Sequence, residues 1–374
     1  MQAQIPREPW LTALQVAHSV IGGGGADRTV VQDVRVSATA DGVTLRTTDY
    51  ELGVRLVVPG SEVMEPGEVV VPVARLVKIL RESEAPAVRC QTEGAHLRLE
   101  LPGARYTVHG VAPEEFPEFP EPETTGGVTL PAAALRDMLR RTQFAAAVER
   151  SRYTLNGVRF EGVRGGLRLV ATDGKRLALI EHKTEGGTAS KAIPPAIVPL
   201  KAAAVLEKIL AATPETTITC RVVDNRLAVS AAGTHFSALL LEGQYPEYQG
   251  VIREPGPSPL PVQPSALLQA LRQAMPLTED ESRAVKITLA EGKATFTAQL
   301  AGAGGGRAEV EVEFPYTGAP LTIAFDAVYL RDALRAIGSE AAQLDVVSGS
   351  AAAVFRTAEG YTNVVMPITL PEGA

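Results

Sequence analysis

Two stretches, Gly42-Val-Thr-Leu-Arg-Thr-Thr-Asp49 and Gly166-Leu-Arg-Leu-Val-Ala-Thr-Asp173, carry one pattern 124 residues apart. Each opens on Gly, runs through apolar and β-branched residues, and closes on Thr-Asp, the composition of a strand that ends in a tight turn. Other features return at nearly the same step. Val71-Pro72 and Val198-Pro199 each open an amphipathic segment, and a third such segment starts near Phe325-Asp326. Phe116-Pro117-Glu118-Phe119 comes back as Tyr245-Pro246-Glu247-Tyr248. Solenoid units repeat every ~20–50 residues. A step of a third of this 374-residue chain therefore predicts three tandem domains.

Periodicity fills in each copy. Apolar residues at helical spacing predict helices over 7–21 and 72–82, 131–146 and 198–212, and 263–277 and 325–337. Pro131, Pro199 and Pro264 sit where a first helical turn tolerates a missing N–H. Alternating runs at 34–38, 43–47, 97–101, 106–109, 167–171, 227–230 and 294–299 predict antiparallel strands with one buried face. Each third is thus α+β, two helices packed on antiparallel sheets of about eight strands. The Pro-rich segments 113–127 and 255–264 read as stiff, exposed linkers, which places domains at 1–125, 126–255 and 256–374.

Composition narrows the function. With 45% hydrophobic and 21% charged residues the chain is that of a soluble globular protein, expected to be cytoplasmic. No apolar run approaches the roughly 18 residues of a membrane span, and no basic-then-apolar leader opens the chain. Cys90 and Cys220 fall at matching places in the first two copies and read as buried free thiols. The glycine runs 22–25 and 304–306 lack the Gly-Lys-Ser/Thr ending of a phosphate loop, and Gly174-Lys175 is followed by Arg176. His18, His96, His109, His182 and His235 have no metal-ligand spacing, and no nucleophile elbow is present. These residues point to no catalysis, no cofactor and no metal.

The net charge of −7 is uneven. The six helical segments hold twelve Lys or Arg against six Asp or Glu, a surplus of six, which leaves −13 for the rest of the chain. An acidic protein has put its positive charge on one class of element.

Four stretches carry a resemblance: Tyr153-Thr-Leu-Asn-Gly-Val-Arg-Phe160, Leu167-Arg-Leu-Val-Ala-Thr-Asp-Gly-Lys-Arg-Leu177, Glu242-Gly-Gln-Tyr-Pro-Glu-Tyr248 with Val251-Ile252, and Val364-Val-Met-Pro-Ile-Thr-Leu370. In order and spacing they resemble the bacterial sliding clamps, the β subunits of DNA polymerase III, with the first domain the weakest match. The resemblance implies a head-to-tail homodimer, a ring of six domains with helices inside and sheets outside. Twelve helices about 9–10 Å apart trace a circle of roughly 110 Å, about 35 Å across the axes. Subtracting about 5 Å of helix on each side leaves a hole of roughly 25 Å, wide enough for duplex DNA.

It further implies that the inner wall meets double-stranded DNA without sequence preference. The candidate contacts are Arg28, Arg75, Lys78, Arg136, Arg140, Arg141, Arg150, Lys201, Lys208, Arg272, Arg331 and Arg335. A pocket between the second and third domains is implied to take short linear peptides from the polymerase III α subunit, the clamp loader and repair proteins. Its matching positions are Arg152, Leu155, Thr172, Gly174, Lys175, Arg176, Leu177, Pro246, Val251, Val364, Met366, Pro367 and Leu370. Tyr106 and Val108 match residues that meet the neighbouring chain, with Leu277 their counterpart. The chain departs from the family at Lys175, where His is common, at Gly250, where Arg is common, and in its Pro371–Ala374 extension. Two other readings stay open on the residues alone: a non-encircling three-domain adaptor, and an enzyme with its site at the domain joints.

Overall fold

The computed structural model describes residues 1–21, 32–149, 153–184, 189–256, 259–279, 283–302 and 304–369. Six helices form where the apolar spacing asks for them, at Arg7–Ile21, Val73–Arg81, Ala132–Thr142, Leu200–Ala212, Pro264–Ala274 and Ala327–Ile337. A four-residue turn of helix at Ala189–Ala192 is added to them. Each longer helix buries one stripe: Val73, Leu76, Val77 and Leu80 go inward on the second, and Arg75, Lys78 and Arg81 stay exposed. Pro72 and Pro199 stand at the N-cap, one place earlier than a first-turn proline, and Pro264 is inside the first turn. Asp326 caps the last helix, its carboxylate accepting from the N–H groups of Val328 and Tyr329. The expected helix ends at 146 and 277 are instead 3₁₀ turns, Gln143–Ala145 and Met275–Leu277. In the second of these, Pro276 has no N–H with which to continue the α-helical ladder.

Among the described residues the three thirds hold nine, eight and eight strands. The chain packs across these thirds. It forms two compact units, one of residues 1–136, 162–165 and 184–241, the other of 137–161, 166–183 and 242–374. Strand pairing is the reason. In the first unit Thr234–Leu239, from the middle third, pairs with Leu52–Val58 from the first, with His235 opposite Arg55 and Phe236 opposite Val54. One eight-stranded sheet results. In the second unit Arg176–Lys183 pairs in the same way with Tyr361–Val365 of the last third. The middle copy therefore completes a sheet with each neighbour in sequence, joined by backbone hydrogen bonds along the strands.

The two Pro-rich segments are not free linkers, contrary to expectation. Phe116 is buried, and Phe119 lies so close over Gly53 that a Cβ there would stand 2.1 Å from its ring. Glu121 takes ion pairs from Arg46 at 3.1 Å and Arg55 at 3.0 Å. The segment is a strap held on the first unit's sheet by apolar packing and charge. In the other segment Leu260–Val262 is itself a strand, paired with Ala342–Asp345. Cys90 and Cys220 are free and buried in equivalent strands, Ala87–Glu93 and Thr217–Val223. Burial pushes the Cys220 thiol up to about 12 and raises Cys90 as well.

Candidate functional site

The site begins at a turn whose chemistry the Thr-Asp pair dictates. Thr172 Oγ1 donates to the Arg176 carbonyl at 2.6 Å and accepts from the Gly174 N–H at 3.1 Å. Asp173 Oδ1 accepts from the N–H groups of Lys175 and Arg176 at 2.9 and 3.0 Å. Gly174 has φ +86°, a conformation that costs glycine little. The first copy repeats this turn: Thr48 Oγ1 donates to Leu52 O, the Tyr50 N–H donates to Thr48, and the Leu52 N–H donates to Asp49. There Tyr50 takes the left-handed position, at φ +74°.

Next to the turn runs the last strand. Leu177 faces Val364 across the ladder, and the Met366 N–H donates to Lys175 O at 2.9 Å. Leu177 and Val364 are buried, Leu155 is half-buried, and Met366 is 39% exposed. Leu177 and Val364 thus present no open wall and can form only a floor. Arg176 is turned inward as well. Its guanidinium binds Asp173 at 3.0 Å and Asp332 at 2.9 Å and lies over Tyr329 at 4.4 Å, with the side chain 10% exposed. It ties the turn to the Ala327–Ile337 helix before any ligand is present. Lys175, Gly174 and Pro246 are exposed, as is Val251, while Pro367 is half-buried and Thr172 buried. Arg152 and Leu370 lie outside the described residues, as do Arg28 and Arg150.

A cleft of about 370 Å³ opens beside Met366 and Pro367, lined also by Thr322, Ala324 and Ser350. Sequence reasoning missed these three, since two small residues on the Leu321–Asp326 strand and a serine in a distant turn leave no local pattern. The Ile368 N–H donates to Ala324 O at 2.8 Å, which sets the cleft wall.

Pro246 and Val251 sit on the second strap, Tyr245-Pro246-Glu247-Tyr248 and the 3₁₀ turn Gln249–Val251. The Tyr248 hydroxyl donates to Glu161 Oε1, which also accepts from Arg168 at 3.1 Å, and Arg159 donates to Oε2 at 2.9 Å. Burial by itself would raise Glu161, but the Tyr248 hydrogen bond and the Arg159 and Arg168 cations outweigh it and hold the carboxyl below the ordinary 4.5. Glu68 is lowered in the same sense: burial opposes, and Arg35 and Ser37 prevail. A carboxylate with a depressed folded pKa contributes stability above its unfolded value and loses it as pH falls through the folded one. Melting temperature is therefore expected to hold at neutral pH and to drop on acidification below 4.5. Circular-dichroism melts check this, and E161Q should flatten part of the drop. An acid limb equally steep in the variant would contradict it.

The candidate DNA contacts fall into three groups. Arg75, Lys78, Arg136, Lys208, Arg272 and Arg335 are exposed on helices and form no ion pair among the described residues. Arg140 and Lys201 are exposed but paired, with Asp137 and Asp49. Arg331 is half-buried against Asp332. Arg141 must be corrected: it is buried, held by Asp137 and Glu340 at 2.7 Å each, and lies 5.6 Å from the Tyr361 ring centroid. A guanidinium so committed is a structural ion-pair member, since freeing it for phosphate would strand the Glu340 carboxylate.

The comparisons decide the family. Sequence models of the DNA polymerase III beta subunit match in succession along the chain: the N-terminal domain at residues 1–120, the central domain at 129–247 and the C-terminal domain at 258–369. The chain belongs to the DNA polymerase III β subunit family. It is similar to the beta sliding clamp of Treponema pallidum, 27% identical over 98% of this chain and 99% of that one. It is also similar to the clamp of Vibrio cholerae, 26% identical over 99% and 100%. The solved sliding clamp of Pseudomonas aeruginosa bound to griselimycin superposes with a TM-score of 0.87 at 26% identity, covering 99% of this chain and all of that one. The clamp from Bartonella birtlesii, also bound to griselimycin, gives 0.86 at 25% with the same coverage.

The remaining candidate residues lie at or beside two sheet edges. Tyr106 and Val108 lie on Ala104–His109, the outermost strand of the five-stranded sheet in the first unit. Tyr106 is 39% exposed, but Val108 is buried. Leu277 is half-buried in its 3₁₀ turn, 3.5 Å from where a Cβ would stand at Gly306. Gly306 opens Gly306–Glu313, the outermost strand of the four-stranded sheet in the second unit. Among the described residues no strand pairs with the outer side of either strand, which leaves a row of backbone donors and acceptors open. No helix among the described residues is long and apolar enough to cross a membrane.

Proposed function

We propose that two copies of this chain close head to tail into a ring around duplex DNA and tether partner proteins there without catalysing a reaction. The three domains are read as 1–125, 126–255 and 256–374, with joints between the segments that the family models match. The observation that carries the reading is the free helix cations in every third, Arg75 and Lys78, Arg136 and Lys208, Arg272 and Arg335, on a chain of net charge −7. Cations that meet only phosphates attract DNA without reading its bases, so nothing traps the ring at one sequence. The unpaired edges at Ala104–His109 and Gly306–Glu313 supply the two halves of a heterologous contact, which closes into a ring when the rotation permits. A closed dimer has twice the 39.5 kDa chain mass. Sedimentation at micromolar concentration is expected to give that value, and a monomer would favour the adaptor reading.

The docking site is read as the exposed surface of Met366, Val251, Pro246 and Lys175 above the floor of Leu177 and Val364. It takes short peptides with apolar anchors, from the polymerase III α subunit, the clamp loader and repair proteins in the cytoplasm. Met adapts to anchors of different shape, which suits several partners at one site. Griselimycin, bound by two solved relatives, is the available probe. Calorimetry should show it binding here and weakened at least tenfold by Met366→Asp; a variant that binds like the parent chain would place the site elsewhere.

A further inference from the structure

Pro246 and Val251 are exposed, yet each adjoins a tyrosine committed to the interior: Tyr245 is 5% exposed and Tyr248 2%. The Tyr245 hydroxyl donates to the Val170 carbonyl, whereas the group that anchors Tyr248 is a buried carboxylate. Glu161 is 7% exposed, and both of its oxygens are engaged, one by the Tyr248 hydroxyl and Arg168, the other by Arg159. The Arg159 guanidinium stands 5.7 Å from the centroids of both tyrosine rings, and Arg168 is held in turn by Glu181 at 2.6 Å. A buried charge is a poor way to fill space, because an apolar group of equal volume avoids its desolvation. What directional hydrogen bonds add is orientation: they set the height and rotation of the Tyr248 ring and so the path of the Gln249–Val251 turn that follows it.

The first copy of the repeat serves as an internal control. At the 124-residue offset Glu161 corresponds to Ser37 and Arg168 to Thr44, and in the strap Phe119 stands where Tyr248 does. Arg159 alone keeps its counterpart, Arg35. The first strap is held instead by Glu121 against Arg46 and Arg55. Of these two copies, only the one whose strap carries Pro246 and Val251 joins a strap hydroxyl to a carboxylate held by two arginines.

We propose that Glu161, Arg168 and Tyr248 are positioning residues of the docking site, holding the 245–251 strap so that Pro246 and Val251 are in place before a peptide arrives. The proposal rests on the docking reading above. Such pre-placement raises affinity because the ligand does not have to order the strap itself.

Griselimycin titrated into the 374-residue chain tests it, with Y248F, E161Q, the double variant and the core substitution F296L compared. Y248F removes one oxygen and E161Q keeps the volume of its side chain, so at least one folded variant is expected. Each single variant should weaken binding roughly tenfold, equivalent to about 1.4 kcal/mol. The double variant should be no weaker than the poorer single, because the pair acts as one unit. F296L, in the apolar core away from the strap, should lower the melting temperature and keep the parent affinity. Parent-like binding by both Y248F and E161Q overturns the proposal, as does an equal loss in F296L, which would mean general loosening. Absence of binding by the parent chain strikes instead at the docking reading.

Discussion

On a nicked circular duplex this protein is expected to stay bound after its loading factors are removed, and to leave once the circle is cut to a linear form. Contact affinity cannot produce that difference, because both forms offer the same phosphates. Raising salt from about 50 to about 200 mM weakens a protein with six to ten phosphate contacts by roughly 10³–10⁵ fold. A ring held by topology keeps its circle-bound fraction nearly unchanged over that range, while linear DNA empties. Gel filtration of the loaded circle before and after one restriction cut reads the result directly. Equal loss from both forms would leave only a surface-bound adaptor. The free helix cations suit the topological case: they are few in each third, enough to centre the duplex without gripping it.

Arg141→Ala is expected to cost about 3–5 kcal/mol, the range for removing one member of a buried ion pair. The Arg141 side chain is 11% exposed, and it neutralises Glu340, itself 19% exposed, together with Asp137. Alanine leaves Glu340 without its countercharge and removes the cation beside the Tyr361 ring. For a unit of this size the loss is a drop of roughly 6–20 °C in melting temperature. Arg140→Ala, which removes an exposed pair with Asp137, should change stability by less than about 1 kcal/mol. Calorimetry on the two variants separates the readings. Were Arg141 a phosphate contact, its loss would weaken DNA retention and leave the melting temperature alone.

Much of the fold was legible because its signals are local. The Thr-Asp turns close on their own backbone within four residues, so both copies announce themselves in sequence. The helices follow from apolar spacing, and their exposed cations from the polar positions between. The straps were misread because prolines and glutamates look solvated until a partner is known: Glu121 meets Arg46 and Arg55 from distant strands, and Phe119 meets Gly53. At the site, Met366 and Val251 were found by resemblance to the family, but Thr322, Ala324 and Ser350 carried no motif.

The sequence by itself determined the threefold repeat, the element types, the family and the bias of positive charge toward helices, since each rests on neighbours within a turn or on a run of matched residues. Only the tertiary structure decided which basic residues are free. Arg140 and Arg141 are adjacent, yet one is exposed and the other is sealed by Glu340, 199 positions away. Tertiary pairing likewise joined the middle copy to both neighbours, through Thr234–Leu239 on one side and Arg176–Lys183 on the other. The physical reason is common to both: whether a charge or a strand edge stays open depends on what packs over it, and that partner comes from far along the chain.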